Sequence, residues 1–209
     1  MASLISNLTS AEQRDLLADL NYLNMGEIKQ ICKRHKIPYW IVIETGEGKR
    51  RKTSDLDRKG VVLKRIRQFL ESGVIPKETC FSAEVVRMGS FPKKVAADDR
   101  LLYGQYQKKN RSMMALLREL TEGEFKNGAI ARILAREFWT AGRAPTFREF
   151  AAEWQKARRE HESPNPEWAF LTDRSNKTAD ADWKKLRIKK AKKVMDTLNI
   201  VFERSRRGG

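Results

Sequence analysis

The sequence predicts a mainly α-helical protein with one β-hairpin inserted between two helices. Apolar residues recur at helical spacing through much of the 209-residue chain, which is typical of amphipathic helices. Residues 39–44 are β-branched, aromatic or acidic and precede a glycine turn, as expected for a hairpin. The hydrophobic content of 40% excludes wholesale disorder. The formal charge of +16 and the pI near 10.0 indicate an anionic partner.

Residues 23–70 predict two amphipathic helices joined by an extended basic segment. The first helix, within residues 23–38, places Met25, Ile28, Ile31 and Cys32 on one face, and a proline ends it. The second helix, residues 57–70, gathers an apolar arc of Val62, Leu63, Ile66, Phe69 and Leu70. On this pattern the polar residues that face water or a ligand are Lys64, Arg65 and Gln68.

The segment between these helices carries an unusual charge run. The second strand of the predicted hairpin begins with Lys49, Arg50, Arg51 and Lys52. A solvated charge run is the ordinary explanation of such a pattern. We favour phosphate binding, because Arg58 and Lys59 follow at the start of the second helix, where backbone N–H groups and the helix dipole also attract anions.

The helix pair resembles a known DNA-binding family. The residues that carry the resemblance are Glu27-Ile28-Lys29, Ile31-Cys32 and Ile37-Pro38 in the first helix, then Lys59, Val62, Leu63 and Ile66 in the second. They are similar to the SAP domain, a helix, extended-loop, helix module, and the resemblance implies DNA binding. The chain departs from the family where Lys36 and Asp57 replace glycines and where the linking segment is longer. The alternative is an ordinary helical hairpin with a solvated charged face.

The remaining sequence predicts further helices. Thr9 or Ser10 precedes a first helix that ends near residue 21, and Ser10 with Gln13 has the form of a capping box at its start. After an irregular segment with a short strand at 84–87, helical spacing predicts a long helix through residues 101–120, a helix over 129–141 and another that opens at a Thr146–Glu149 capping box and ends at residues 163–166. We therefore divide the chain into a SAP-like nucleic-acid-binding module at residues 1–84, a connector at 85–97 and a basic all-α domain at 98–209.

The last helix, residues 180–203, is predicted to have a cationic outer face. Its apolar face carries Trp183, Val194, Leu198 and Val201, and its opposite face carries Lys185, Lys189, Lys192 and Lys193. Like charges at this spacing repel one another. A second phosphate-binding surface and a simple solvated face both remain open.

Residues 142–150 carry a second, shorter resemblance. The sequence Pro145-Thr146-Phe147-Arg148-Glu149 is similar to the turn entering the second helix of winged-helix repressors. Residues 163–177 do not read as a recognition helix. An ordinary helical bundle is the alternative.

The sequence predicts neither a cofactor, a metal site nor catalytic residues. Cys32 and Cys80 are too few for a disulfide framework. Cys32 and His35 have metal-ligand spacing, but a zinc site needs about four ligands, and the other histidine is His161. Phosphate-binding glycine motifs are absent from the sequence. A metal-dependent nuclease built from distant carboxylates is the enzymatic alternative.

We therefore expect a non-catalytic protein that binds duplex DNA through phosphates with weak sequence preference. RNA binding is an alternative, because four aromatic residues near basic residues could stack on bases, Tyr39, Trp40, Tyr103 and Tyr106. Another alternative is a scaffold that joins a protein partner to DNA through the carboxy-terminal helices. With no apolar run of about 20 residues and no signal core, no membrane partner is expected. The predicted location is the cytoplasm, or the nucleoid in a bacterium.

Overall fold

The structure is a computed structural model in which residues 3–90, 92–160 and 177–207 are described. The mainly α prediction is confirmed, with a small three-stranded sheet in addition. The helices are α1 (Ser10–Asp19), α2 (Met25–His35), α3 (Lys59–Ser72), α4 (Arg111–Glu119), α5 (Ala129–Thr140), α6 (Phe147–Glu160) and α7 (Lys177–Arg207). The strands are β1 (Trp40–Glu44), β2 (Arg50–Leu56) and β3 (Thr79–Phe81).

The described residues form two compact units that interleave along the chain. The first unit lies within Met1–Trp40, Asp55–Glu78 and Leu171–Gly209, and the second within Ile41–Ser54 and Thr79–Phe170. This differs from the expected order of module, connector and helical domain. Helix α7 belongs with the amino-terminal helices, and the basic end of the hairpin belongs with the second unit. An apolar stripe shows that a helix is buried on one side, but it does not say against which helix.

The first unit is built from α1, α2, α3 and α7. Helices α2 and α3 pack together, and α1 packs against α7. Their shared core includes Leu20, Leu23, Ile28, Ile66, Leu70, Val194 and Leu198, each at most 1% exposed. Asn24 and Glu27 form a reciprocal capping box at the start of α2. The helix, extended segment, helix order predicted for residues 23–70 is therefore present.

The capping box of the first helix lies one residue before the predicted box of Ser10 with Gln13. Thr9, and not Ser10, caps α1, and its partner is Glu12. The Thr9 N–H donates to the Glu12 carboxylate at 2.8 Å, and this bond lowers the pKa of Glu12. The Gln13 side chain instead donates to the carbonyl oxygens of Ile5 and Leu8. The sequence contains two overlapping capping boxes, Thr9 with Glu12 and Ser10 with Gln13. The helix dipole favours the box that contains the acidic residue.

The second unit contains most of the sheet, whose strand order is β2-β1-β3. Strands β1 and β3 are parallel, with Ile41 opposite Thr79 and Ile43 opposite Phe81. Strand β3 was not expected, because a three-residue strand is too short to show a period. The core of this unit is rich in aromatic rings, with Phe81 and Tyr103 each within 6 Å of the Trp139 ring centroid, at 5.7 and 5.5 Å.

The predicted long helix over residues 101–120 is wrong in its first half. Helix α4 begins only at Arg111, and residues 97–110 are not helical. The Tyr103 N–H donates to the Val85 oxygen, and the Leu101 N–H donates to the Pro145 oxygen, both at 2.8 Å. The strand expected at 84–87 is not formed: Ala83–Val85 is a short 3₁₀ helix, and a single bridge joins Val86 to Tyr103. Long-range backbone pairing therefore overrides the helical spacing.

Helices α5 and α6 lie where the sequence predicts them. The Thr146–Glu149 capping box is present, with the Thr146 N–H donating to Glu149 at 2.8 Å, and this bond lowers the pKa of Glu149. Residues 163–166, the predicted end of α6, and the segment after them lie outside the described residues. Within the described part of the chain, no helix is long and apolar enough to cross a membrane.

Candidate nucleic-acid interface

The basic run of the hairpin lies on the edge strand of the sheet. Strand β2 has β1 on one side, and Lys49, Arg50, Arg51 and Lys52 are all exposed. Arg50 pairs with Glu44 at 3.3 Å but keeps 60% of its side chain exposed. Successive side chains of a strand point to opposite faces, so cations are accessible on both faces of this strand. Farther along, Thr53 is half-buried and donates to the Ile41 oxygen.

The prediction that Arg65 faces water or a ligand is wrong. Arg65 is only 7% exposed, and its Nη1 atom donates to Asp57 Oδ2 at 2.7 Å and to the Pro38 oxygen at 3.0 Å. Asp57 is equally buried, at 6% exposed. This acidic residue gives the guanidinium a partner that periodicity alone does not reveal. Its neighbours Lys64 and Gln68 are exposed, as predicted.

The two cations that open α3 are half-buried. Arg58 occupies the N-cap position without a capping hydrogen bond from its side chain. The Lys59 ammonium donates to the Asn21 carbonyl oxygen. Lys59 is therefore engaged within its own unit, and phosphate binding would have to compete with that bond.

The cations of helix α7 fall into two groups: those that pair with carboxylates of the same unit, and those that are exposed. Arg187 pairs with Glu27 and donates to the Tyr22 oxygen, and Lys190 pairs with the buried carboxylate of Asp19 at 2.9 Å. The hydrogen bond that Lys190 donates to Asp19 raises the pKa of Lys190. These cations hold α7 against the amino-terminal helices of its own unit, a role that helical periodicity does not reveal.

The four lysines predicted on the outer face of α7 are exposed. Lys185, Lys189, Lys192 and Lys193 fall within about 100° of helix surface at the usual rotation per residue. The buried residues of α7 lie on the opposite side, and they are Ala191, Val194, Leu198, Val201 and Phe202. Lys193 is 3.8 Å from Asp15, with 60% of its side chain exposed. The predicted cationic face is therefore present.

Two of the four aromatic residues proposed to stack on bases are structural. Tyr103 is 8% exposed in the core of the second unit. Tyr106 packs on Trp139 and Phe150, its hydroxyl donates to Asn127, and burial raises its pKa. Tyr39 and Trp40 are half-buried and lie edge to face. Two of the four aromatic residues on which the RNA-binding alternative depends are therefore occupied in the core.

The residues with metal-ligand spacing lie in an apolar environment. Cys32 is 1% exposed, and burial raises the pKa of its thiol to about 12. The His35 ring stacks on Phe202 with 3.6 Å between centroids. Among the described residues, no group of three or more His, Cys, Asp and Glu side chains could hold a metal ion. His161 lies outside that part of the chain.

The structure also contains a basic cleft that the sequence did not predict. It has a volume of about 520 Å³ and lies in the second unit. Its lining residues are Lys108, Arg111, Met114, Arg118, Phe125, Lys126, Asn127 and Gly128. The signal in the sequence was the Lys-Lys-Asn-Arg run at 108–111. Assigning residues 101–120 to one long helix concealed it.

The predicted cations are divided between the two units. The hairpin run belongs to the second unit, and the α3 and α7 residues belong to the first. Comparisons with protein families, with curated proteins and with solved structures found no match.

Proposed function

We propose that this protein is a non-catalytic nucleic-acid-binding protein, with duplex DNA as its main ligand and phosphate groups as its main contacts. The observation that carries the proposal is the exposed run of four cations, residues 49–52, at one end of an edge strand. Phosphate contacts from lysine and arginine supply most non-specific affinity for DNA. Weak sequence preference follows, because such contacts carry no base information.

A charged edge strand has another explanation, which is protection from aggregation. Unpaired strand edges recruit other chains, and charged side chains prevent this. This edge has four consecutive cations in a chain of formal charge +16, and even Arg50, which pairs with Glu44, keeps most of its side chain exposed. The excess of positive charge supports an anionic ligand.

The helices of the first unit support the same proposal through their order along the chain. Helix α2, the extended segment and α3 follow the order that the SAP resemblance implies. Lys36, which stands where that family has glycine, has a left-handed backbone with φ of 57°, the conformation that glycine favours. We therefore include a SAP-like module in the proposal, with the cytoplasm or the nucleoid as its location.

The test is a binding titration of labelled duplex DNA over a series of salt concentrations. The hairpin variant Lys49→Ala, Arg50→Ala, Arg51→Ala and Lys52→Ala is compared with the parent. A control variant of equal charge changes four other exposed cations of the second unit, Lys93, Lys94, Lys156 and Arg159. Each phosphate contact that a variant removes should make the slope of log K against log salt shallower by about 0.9.

The proposal predicts a shallower slope for the hairpin variant than for the control. Equal slopes in both variants would remove the hairpin from the interface. The same titration with single-stranded DNA and with structured RNA identifies the preferred ligand. Tighter binding of RNA than of duplex DNA at matched salt would replace the proposed ligand by RNA.

A further inference from the structure

The basic cleft of the second unit combines a positive rim with an apolar floor. Lys108, Arg111, Arg118 and Lys126 are exposed around it, whereas Met114 and Phe125 are 7% and 4% exposed. Its lining contains no acidic residue among the described ones. Its volume of about 520 Å³ lies within the range of small-ligand pockets, roughly 300–1,000 Å³.

The charge of this rim is not neutralised within the described part of the chain. The side chains of these four cations make no hydrogen bond or ion pair with any described residue. Other cations of the same unit do find carboxylates, as Arg158 does with Glu124 at 2.8 Å and Arg148 with Asp98 at 3.2 Å. Like charges that converge without a counter-charge repel one another, so an anion in the cleft would be stabilising.

A helix amino terminus opens onto the same cleft. Gly128 lines the cleft and is the N-cap of α5, a helix of 12 residues. Without a side chain, Gly128 provides no capping hydrogen bond. The first backbone N–H groups of a helix have no partner inside it. In α5 they therefore add donors and a partial positive charge beside the four cations.

We propose that this cleft binds one backbone phosphate of the nucleic acid together with its sugar. The phosphate lies on the cationic rim and the first N–H groups of α5, and the sugar lies against Met114 and Phe125. This inference rests on the proposed function, and it adds a phosphate-binding site outside the hairpin and outside the SAP-like module.

The first test neutralises the rim. The variant Arg111→Gln, Arg118→Gln and Lys126→Gln is compared with Lys93→Gln, Lys94→Gln and Lys156→Gln, which removes the same charge from exposed positions elsewhere in the unit. We expect the salt slope for duplex binding to become shallower by about 0.9 in the cleft variant and to change less in the control.

A second test adds a negative charge at the N-cap. Gly128 has φ of −95°, and a Cβ atom there would meet only the Lys126 oxygen, at 4.0 Å. Both Gly128→Ser and Gly128→Asp should therefore fold, because serine and aspartate are favoured N-caps. We expect Gly128→Asp to weaken duplex binding more than Gly128→Ser does, because only aspartate repels phosphate.

Backbone amide resonances of residues 128–130 report ligand binding directly. We expect them to shift when duplex DNA is added to the parent. If the parent and the control bind DNA and the cleft variant matches the control, the inference fails and the proposed function stands. If the parent binds no nucleic acid, both fail. If a nucleoside monophosphate shifts these amides and DNA does not, the cleft serves a small phosphorylated molecule, and the inference is overturned.

Discussion

Arg65, in the middle of α3, forms a buried ion pair with Asp57, which precedes that helix, and also binds Pro38, which follows α2. Arg65 Nη1 lies 2.7 Å from Asp57 Oδ2 and 3.0 Å from the Pro38 carbonyl oxygen. The Asp57 N–H in turn donates to the Tyr39 oxygen at 3.0 Å. The pair therefore fixes both ends of the long extended segment.

Removing either partner should strongly destabilise the first unit. Arg65→Ala or Asp57→Ala leaves one buried charge without its counter-charge, which typically costs about 3–5 kcal/mol. Urea denaturation measures the change in the free energy of unfolding. The exposed neighbour Lys64 is the control, and Lys64→Ala should change stability by less than about 0.5 kcal/mol.

A double variant separates the ion pair from simple loss of packing. Because Asp57→Ala with Arg65→Ala leaves no lone charge, the loss of stability in this double variant should be smaller than the sum of the two single losses. The coupling energy expected for a contacting pair is about 0.5–3 kcal/mol. Strictly additive losses would show that the two side chains contribute independently.

The same pair shows where sequence reasoning succeeded and where it stopped. Apolar periodicity located α2, α3, α5, α6 and α7 because each buries one face. Periodicity assigned Arg65 to the exposed face beside Lys64, and it could not foresee a carboxylate eight residues earlier that neutralises the buried guanidinium. Likewise, the exposed hairpin cations were evident from the sequence. The basic cleft was not, because its residues come from α4 and from the loops that precede α4 and α5.

Lys36 should be a position where glycine increases stability. Its backbone is left-handed, with φ of 57°, at the end of α2, and side chains with a Cβ atom adopt this conformation at a cost of roughly 1–2 kcal/mol. Glycine avoids that cost but loses more chain entropy on folding. We expect Lys36→Gly to raise the free energy of unfolding by up to about 1 kcal/mol.

Lys33 provides the matched control for this change. It lies in the last turn of the same helix and is also exposed. Lys33→Gly should lower the free energy of unfolding by about 1 kcal/mol, because glycine is a poor helix former. Equal effects of the two glycines would argue against the left-handed conformation at Lys36.

The two cysteines should differ in reactivity. Cys32 is buried, and burial raises the pKa of its thiol to about 12 from an ordinary value of 9.0. Cys80 is only half-buried. At pH 8 a thiol reagent should modify Cys80 in the folded protein and reach Cys32 only after denaturation, since the thiolate is the reactive form. The variants Cys32→Ser and Cys80→Ser show which cysteine is responsible for each observed rate of modification.

The raised pKa of Cys32 also predicts a pH dependence of stability. The unfolded chain loses the thiol proton near pH 9, whereas the folded protein keeps it to about pH 12. Stability should therefore be unaffected by this group below pH 9 and should fall as the pH rises above it. Cys32→Ala should remove this part of the alkaline loss of stability. The same alkaline loss in parent and variant would mean that Cys32 is accessible to water.

The last prediction concerns the exposed lysines of α7. Lys185, Lys189 and Lys192 are suited to charge reversal, because their side chains make no ion pair with a described residue. Lys193 is less suitable, since it lies 3.8 Å from Asp15 and a glutamate there would add repulsion within the unit. The triple variant Lys185→Glu, Lys189→Glu and Lys192→Glu should therefore fold like the parent.

If this face contacts phosphates, the triple variant should bind duplex DNA more weakly and with a shallower salt slope. Arg187→Glu and Lys190→Glu distinguish a binding effect from a folding effect, because these residues hold α7 through Glu27 and Asp19. Either change should destabilise the first unit, which circular dichroism during urea denaturation would detect. Unchanged DNA affinity of the folded triple variant at matched salt would exclude the α7 face from the interface and leave it as a surface for a protein partner.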